Sequence, residues 1–524
     1  MCQLAARAAA NWHDGSTRSA GRPAEGLIAW PAVRRRLIPV AVAAAAVAAM
    51  AAPVGGAIVS QGGVRMGADV LWSRGLLGQG QTVAILDEGF AGLDRSIALG
   101  ELPPREALTI RAFDPLGGLD GLTEFGVPTQ HGVRMAELVH DMAPQARLAL
   151  VGYRTPEQFQ EAVAWIVGQG IPIVSHSNSF LTPPFDGTGP AARAVDGAVA
   201  AGVLWLNSVG NYGQRHWRGV APAEGAVIPI APTPGTPMLF SLSWATPGAR
   251  ASVAVERLDP SGAWAEVQRS APAGPAGSVT APLTADAASW RLVVRQEAGP
   301  PSELTLFSQT VGFGPLAVAS GSVPTPGDAA GAVSVGAVKW TGTALEAYSS
   351  QGPTDDGRAK PDLVGPTYVT SNPEWPGTAG TSAATAHLAG AAALLREARI
   401  GSGLPAGPAD LRAALASGAL DLGARGADPL YGAGMARLDS IAPRLAVRVT
   451  AARRPVVRVR APDEGTIRLV RVILNGRSLR SVRRPALGVR LSALRPGRNR
   501  LFVSAEDMAG NVAVRTRVLR GVRR

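Results

Sequence analysis

The sequence predicts an α/β protein with a doubly wound, mostly parallel sheet, an inserted β-sandwich and a C-terminal β domain. Three observations support this prediction. Apolar strands alternate with helices between residues 82 and 206, a pattern that requires a parallel sheet with helices on both faces. Helix signals then vanish from about residue 233 to 314, where Gly and Pro separate short alternating stretches. After about residue 443 the chain consists of short strands with Arg-rich outer faces.

The N-terminal part has the organisation of an export signal. Residues 1–36 show no periodicity, and we interpret them as disordered or as an over-extended gene start. Three arginines then precede an apolar run with small residues at Ala49 and Ala51, so residues 37–57 are predicted to be a secretory signal peptide. A retained anchor is the alternative, because weaker apolar character continues to Val59. Either interpretation places the protein outside the cytoplasm, secreted or in the cell envelope.

The net charge is unevenly distributed along the chain. The formal charge is +12, but residues 441–524 contain 21 Arg against four acidic residues, which leaves about −5 for the remainder. Basic character in one segment gives little support to nucleic-acid binding, and none is expected. The arginines could bind an anionic cell-surface polymer, lipid headgroups or acidic protein, or form a solvated face. The single cysteine, Cys2, excludes intramolecular disulfides.

The first predicted strand ends in an acidic residue. The segment Thr82–Gly89 contains an apolar run bounded by turn residues, which is typical of a buried parallel strand, and Asp87 lies at its carboxyl end. The carboxyl ends of parallel strands face the crevice where α/β proteins bind ligands. Asp87 is therefore a candidate functional residue, with a cap of the next segment as the alternative.

A histidine opens the next helix. Apolar residues at positions i, i+3, i+4 and i+7 from Met135 predict an amphipathic helix that starts at His131 and ends before Pro144. A lone histidine is more often structural than catalytic. On the later turns of this helix, His140 and Asp141 are interpreted as structural.

The stretch Gly380–Gly390 is a tight turn followed by small, helix-favouring residues. Because small side chains continue to Ala393, this helix can lie deep in the protein. Ser382 is placed at its N-terminus, where backbone donors and the helix dipole can stabilise the negative charge that forms when a hydroxyl attacks a carbonyl. This is the setting of a nucleophilic serine, and a capping residue is the ordinary alternative.

These segments resemble the motifs of the subtilisin-like serine proteases. Gly380–Gly390 is similar to that family's Gly-Thr-Ser-Met-Ala-x-Pro-His-Val-Ala-Gly, and Thr82–Gly89 to its aspartate strand. His131 and Gly132 match the start of its His-Gly-Thr-His-Val-Ala-Gly, although the following residues indicate a divergent bacterial branch. Tyr348–Asp362 resembles its Phe-Ser-Ser-x-Gly-Pro-Thr-x-Asp-Gly-x-x-Lys-Pro-Asp signature.

The resemblance implies a role for each site residue. Ser382 would be the nucleophile, His131 the general base and Asp87 its partner, in the chain order known for subtilisin. Asn211 corresponds to the asparagine that donates to the oxyanion, whereas Asn207 in the same strand is interpreted as structural. The peptide substrate would lie along Ser177, Asn178 and Ser179, and Gly210 is a further candidate substrate-binding residue.

The sequence predicts six segments. They are the N-terminal segment 1–36, the signal peptide 37–57, the first part of the catalytic domain 58–231, the inserted β-sandwich 232–317, the second part of the catalytic domain 318–443, and an Arg-rich β domain 444–524. In the last segment, residues 505–511 resemble the final turn of bacterial immunoglobulin-like domains. The insert is interpreted as a spacer beside the cleft, with substrate or carbohydrate binding as the alternative.

The predicted function is a monomeric, secreted serine endopeptidase acting on protein or peptide substrates. No cofactor is required by the mechanism; calcium is a possible ligand without a located site. Two alternatives stay open. A sedolisin-type acid peptidase shares the fold but uses a glutamate base, for which Glu88 and Glu137 are candidates. A catalytically silent scaffold would use its β domains to bind a surface polymer.

Overall fold

The computed structural model describes residues 58–123, 125–274, 276–401, 404–439, 445–450, 455–461, 467–484, 486–491, 494–507 and 512–521. The predicted signal peptide and the segment before it lie outside the described residues, as do residues 508–511 of the predicted immunoglobulin-like turn. Within these ranges, no helix combines the length and apolar character needed to cross a bilayer.

Eight α-helices occur in the described part of the chain. They are α1 (Gln61–Arg65), α2 (Ala68–Trp72), α3 (Leu93–Leu99), α4 (His131–Met142), α5 (Pro156–Gly168), α6 (Pro190–Ala200), α7 (Thr381–Gly401) and α8 (Pro408–Ser417). Two 3₁₀ turns cover Arg105–Ala107 and Gly314–Leu316.

The strands fall into four groups along the chain. The first group is β1 (Thr82–Asp87), β2 (Thr109–Ala112), β3 (Arg147–Gly152), β4 (Ile173–His176) and β5 (Leu204–Ser208). The second is β6 (His216–Gly219), β7 (Ala226–Ile230), β8 (Pro237–Met238), β9 (Phe240–Trp244), β10 (Arg250–Leu258), β11 (Trp264–Arg269), β12 (Ala271–Gly274), β13 (Gly277–Val279), β14 (Leu283–Thr284), β15 (Trp290–Ala298) and β16 (Leu304–Ser308). The third is β17 (Val333–Lys339) and β18 (Leu363–Thr367). The fourth is β19 (Ala446–Val449), β20 (Val456–Arg460), β21 (Ile467–Leu474), β22 (Arg477–Val482), β23 (Ala486–Arg490), β24 (Gly497–Asp507) and β25 (Val512–Gly521).

A seven-stranded parallel sheet forms the centre of the catalytic part, in the order β18-β17-β5-β4-β1-β3-β2. Successive side chains of each strand enter opposite layers. In β1, Val83 and Ile85 pack with helices α4, α7 and α8, whereas Ala84 and Leu86 pack with α5 and α6. The sheet is therefore covered by helices on both faces, which confirms the predicted α/β class with a parallel sheet.

The insert forms two larger antiparallel sheets, β11-β10-β15-β7 and β12-β13-β9-β16-β6, together with a β14-β8 pair. Apolar residues of both larger sheets, such as Leu242, Val253 and Leu306, share one core. Strands β6 and β7 belong to these sheets although they precede residue 232, where the sequence analysis starts the insert. Pro229 lies in β7, and this strand is at the edge of its sheet, where the missing N–H of proline is tolerated.

The C-terminal part forms two antiparallel sheets, β19-β20-β23 and β22-β21-β24-β25, around a separate apolar core. Side chains alternate between this core and solvent, as in β20, where Val457 and Val459 are buried and Arg458 and Arg460 are exposed. The sequence pattern of apolar residues alternating with arginine thus reflects a sheet with one buried face.

Helix α7 packs closely on α4 because its residues are small. Gly390 faces α4, where an added Cβ would lie 2.3 Å from Met142 Cβ and 3.1 Å from the Val139 carbonyl oxygen. A Cβ cannot occupy this position unless one of the two helices moves. By contrast, an added Cβ at Gly197, in α6, meets no atom within 4 Å.

We predict that Gly390→Ala and Gly197→Ala change stability in opposite directions. Overpacking at residue 390 should lower the free energy of unfolding by about 1–3 kcal/mol. The same substitution at residue 197 should raise it by up to about 1 kcal/mol, because alanine is the better helix former. Urea denaturation of both variants beside the parent checks this. A Gly390→Ala protein as stable as Gly197→Ala would contradict the described helix contact.

Candidate active site

Three strand ends meet at one edge of the central sheet. Strands β5, β4 and β1 are neighbours, with His176 paired to both Leu86 and Asn207. Asp87 ends β1, Ser177 directly follows β4, and Asn211 follows β5 by three residues. The parallel register therefore gathers these predicted residues at a single carboxyl edge, where α/β proteins bind ligands.

A short side-chain contact joins Asp87 and His131. His131 Nδ1 lies 2.7 Å from Asp87 Oδ2, and the other carboxylate oxygen accepts from the Glu88 N–H at 2.9 Å. Asp87 is buried, whereas the His131 side chain is 32% exposed. Because a carboxylate can only accept, Nδ1 carries the proton and the neutral ring has its free lone pair on Nε2.

A glycine allows this histidine to approach the strand. The Gly132 N–H donates to the Gly89 carbonyl oxygen at 3.0 Å, and a Cβ on Gly132 would lie 2.6 Å from that oxygen. Any larger residue would push the start of α4 away from the end of β1. The Gly after His131 is thus explained by the close approach of two backbones.

The charges around His131 favour its protonated form. Burial acts to lower the pKa of His131, but attraction and hydrogen bonding to Asp87, with a smaller contribution from Glu88, outweigh burial and raise the pKa above its ordinary value. For His140, His176, His216 and His387, burial instead lowers the pKa to about 4. Among the described histidines, His131 alone has a raised pKa.

Ser382 lies in the first turn of α7 and is 4% exposed. Its Oγ donates a hydrogen bond to the Ser177 carbonyl oxygen at 3.4 Å. Among the described residues, no hydrogen bond joins this hydroxyl to His131. The turn before it is formed by Gly380 at φ +111°, whose N–H donates to Thr367 Oγ1 at 2.9 Å. The backbone N–H groups of a first helical turn have no intrahelical acceptor, so the Ser382 N–H is available to a ligand.

Asn211 is oriented by the residue before Ser382. Its Oδ1 accepts from both the N–H and the Oγ1 of Thr381, each at 3.0 Å. Since the oxygen is held in this way, the Nδ2 donor is left for another partner. The structure therefore links the predicted oxyanion donor directly to the start of the serine helix.

The Tyr348–Asp362 segment braces the loop that carries Asn211. Ser350 donates its N–H to the Gly210 carbonyl oxygen at 2.9 Å, and its Oγ accepts from the Tyr212 N–H at 3.1 Å. A Cβ on Gly210 would lie 2.9 Å from Ser350 Oγ, and Gly210 has φ +102°. Only glycine fits this position without strain.

A polar cavity of about 150 Å³ lies beside these groups. It is lined by the predicted substrate residues Ser177, Asn178, Ser179 and Gly210 and by Asn211, and also by Glu88, Ser208, Tyr212 and Gln309. The sequence analysis assigned no substrate contact to the last four. Tyr212 follows Asn211 and could have been inferred from it, but Gln309 comes from the end of the insert and has no local signal.

Several polar residues near the site have structural partners instead. Asn207 Oδ1 lies 2.6 Å from His176 Nδ1 in the interior, as expected for a structural residue. Glu137 accepts hydrogen bonds from Ser96, Ser371 and Asn372 at 2.7–2.9 Å, so both of its oxygens are engaged away from Ser382. Within the described ranges, no group of three His, Cys, Asp or Glu side chains is arranged to hold a metal ion.

Part of the chain matches the model of a known protein family. The model of the Subtilase family matches residues 237–434, a range that contains Ser382 and the Tyr348–Asp362 segment. Asp87, His131 and Asn211 lie before this range. A comparison with curated protein sequences finds no match.

The chain is similar in fold to a solved protease structure. The CspB protease of Clostridium perfringens is 17% identical, with a TM-score of 0.52 over 72% of this chain and 97% of that chain. A lanthipeptide protease is 16% identical, with a TM-score of 0.39 over 72% and 91% of the two chains. The prenylagaramide maturation protease PagA is 15% identical, with a TM-score of 0.40 over 71% and 96%. Residues 237–434 thus match the Subtilase family, and the chain shares the fold of the CspB protease.

Proposed function

We propose that this protein is a secreted endopeptidase in which Ser382, His131 and Asp87 hydrolyse peptide bonds of protein or peptide substrates. The observation that carries the proposal is the 2.7 Å contact between Asp87 and His131 at the sheet edge where the Ser382 helix begins. A buried carboxylate that fixes a partly exposed imidazole is the arrangement a general base requires.

The reaction begins with the Ser382 hydroxyl. In the free enzyme its Oγ donates to the Ser177 carbonyl, which is also part of the predicted substrate segment. We infer that substrate binding turns Oγ toward the free lone pair of His131 Nε2, since catalytic hydrogen bonds often tighten only in the substrate complex. His131 then accepts the serine proton as Oγ attacks the scissile carbonyl, and later gives that proton to the leaving amine.

Two donors would receive the oxyanion. Asn211 Nδ2 is left for this role because Thr381 holds the amide oxygen, and the Ser382 N–H is the second donor. Water then hydrolyses the acyl-enzyme by the reverse proton transfers, which regenerate the Ser382 hydroxyl and release the new carboxylate. Asp87 keeps the imidazole tautomer fixed and stabilises its charged form throughout.

The surroundings of Glu137 weigh against the sedolisin-type alternative. Its carboxylate is occupied by three side-chain donors, and burial raises its pKa to about 7. Glu88 lines the cavity and could still act as a base. Activity confined to acidic pH that survives His131→Ala would favour that alternative.

The C-terminal sheets support a surface-binding role beside the protease. Their seven strands form one sheet of three strands and one of four, which is compatible with an immunoglobulin-like sandwich. Exposed arginines occur along β20, β22, β24 and β25, and the ion pair recorded among the described residues there joins Arg468 to Glu506. We infer that this domain binds an anionic cell-surface polymer.

A serine-directed fluorophosphonate probe separates the enzyme from the silent scaffold. We expect the folded protein to be labelled and the label to disappear in Ser382→Ala, because the probe reacts with an activated hydroxyl. Ser73→Ala, which removes an exposed serine, should retain the label. Labelled peptides identified by mass spectrometry check this. Undiminished labelling of the Ser382→Ala protein would contradict the assignment.

The pKa of His131 provides a second prediction. In Ser382→Ala protein, NMR titration should find the His131 imidazole titrating above about 6.5, while the other described histidines titrate near 4. Adding Asp87→Asn should lower the His131 pKa, because the favourable anion is removed. In the active enzyme, kcat/KM should therefore fall as pH decreases through this raised pKa. An unchanged His131 pKa in the Asp87→Asn protein would contradict the pairing.

Two asparagines provide a matched pair for the oxyanion prediction. Asn211→Ala should lower the kcat of the folded protein about a hundred- to a thousandfold, a magnitude measured for the corresponding donor in subtilisin itself. Asn207→Ala should mainly lower stability, because it leaves buried partners such as His176 without a hydrogen bond. Steady-state kinetics and thermal unfolding of both variants distinguish the roles. Full kcat in Asn211→Ala would exclude the proposed donor.

A further inference from the structure

The segment Ile58–Ser60 is bound to the catalytic part through its backbone. The Ile58 N–H faces both carboxylate oxygens of Glu101, at 3.3 and 3.2 Å. The Ser60 N–H donates to Asp141 Oδ2 at 2.9 Å. Two backbone N–H groups, two residues apart, are therefore held by two acidic side chains, although neither nitrogen carries a charge within an intact chain.

These acidic groups lack a cationic partner in the described part of the chain. Glu101 is 3% exposed, and no recorded ion pair includes Glu101, Asp141 or the nearby Glu137. Burial raises the pKa of Glu101, and burial together with the charges of Glu101 and Glu137 raises the pKa of Asp141 well above its usual range. Buried carboxylates are normally paired with a positive charge. One neutral amide N–H shared between two oxygens stabilises a buried carboxylate less than a cation does.

The sequence before Ile58 is suited to cleavage. Gly55 and Ala57 place small residues at the third and first positions before the Ala57–Ile58 bond, the pattern that precedes a signal-peptide cleavage site. Hydrolysis of this bond consumes one water molecule and leaves a carboxylate on Ala57 and an amine on Ile58. The amine takes up a proton at neutral pH, because an α-amino group has a pKa of about 7.7–8.0.

We propose that a peptidase that cleaves after small residues releases Ile58 as the mature N-terminus, whose α-ammonium group then forms a buried ion pair with Glu101. The nitrogen already lies between the two oxygens, so no rearrangement of Glu101 is needed. Three N–H donors replace one, and the new positive charge is placed next to Glu101, whose negative charge repels that of Asp141.

This ion pair would fix the chain against the serine helix. Ser60 Oγ lies 2.7 Å from His387 Nε2, and His387 Nδ1 lies 2.7 Å from the Ala383 carbonyl oxygen, one residue after Ser382. A Cβ on Gly62 would lie 2.2 Å from His387 Nε2, so the segment is in close contact with α7. Gln61 Oε1 accepts from the Thr370 N–H at 2.9 Å, in the loop that leads to Ser382. The mature N-terminus thereby supports the position of the nucleophile.

The pairing is tested with proteins that differ only at the N-terminus. Ser382→Ala protein is made with a removable tag so that it begins at Ile58, and again with a Gly-Ser extension before Ile58. We expect the free Ile58 protein to unfold several degrees higher, and its α-amino group to titrate above about 8.0 and to react slowly with an acetylating reagent. Because both proteins carry Ser382→Ala, the outcome does not depend on whether the proposed protease activity is correct.

A pair of glutamate variants identifies the partner. Glu101→Gln should remove the difference in melting temperature between the free and extended proteins, whereas Glu106→Gln, at an exposed site on the same segment, should preserve it. Should Glu101→Gln fail to fold, the titration of the α-amino group in the free protein still decides. Equal melting temperatures for the free and extended proteins, with an α-amino pKa in its ordinary range, would overturn the proposal. Mass spectrometry of the exported full chain should find Ile58 first, and a mature protein beginning at any other residue would also overturn it.

Discussion

The side-by-side register of β5, β4 and β1 is the constraint on which the site depends. Asp87, Ser177 and Asn211 are separated by up to 124 residues in sequence, yet each lies at or shortly after the end of a strand that pairs directly with its neighbour. A slip in one strand would move its terminal residue along the edge and reverse the faces of its side chains. Since alternate residues of these strands fill two separate apolar layers, the cost of such a slip is high. The hydrophobic core thereby fixes the positions of the polar groups.

Helix α7 extends this constraint to Ser382. Its alanines and Gly390 let it pass close to the sheet and to α4, which carries His131. The two helices therefore hold His131 and Ser382 through one apolar contact surface. Thr381 adds a polar link, because it holds the amide oxygen of Asn211 while Ser382 follows in the same turn. The small residues of α7 allow its close packing, and Thr381 places the start of this helix within hydrogen-bonding distance of the loop that carries Asn211.

Much of this arrangement could be predicted from local sequence signals. Helix α5 begins at Pro156, after a capping box formed by Thr155 and Gln158, which is a local sequence signal for a helix start. The contact between Asp87 and His131 was expected from two motifs. Features that depend on pairing between distant segments were not predictable: β6 and β7 join the insert, Gln309 reaches the cavity, and Glu101 meets Ile58. Each of these residues has an ordinary local context, so its role is visible only when the partner is in place.

Strand pairing also fixes the position of the insert. It separates β5 from β17, which are adjacent in the sheet, so its two ends must return to one place. They do so through the pairing of β16 with β6, and Phe307 of β16 packs edge to face against Tyr212, with ring centroids 5.3 Å apart. Tyr212 directly follows Asn211, and Gln309 lines the same cavity as both residues. The insert thus contacts the loop that carries Asn211, in agreement with its predicted place beside the cleft. The insert is therefore part of the cleft wall, and its packing contributes to the position of Asn211.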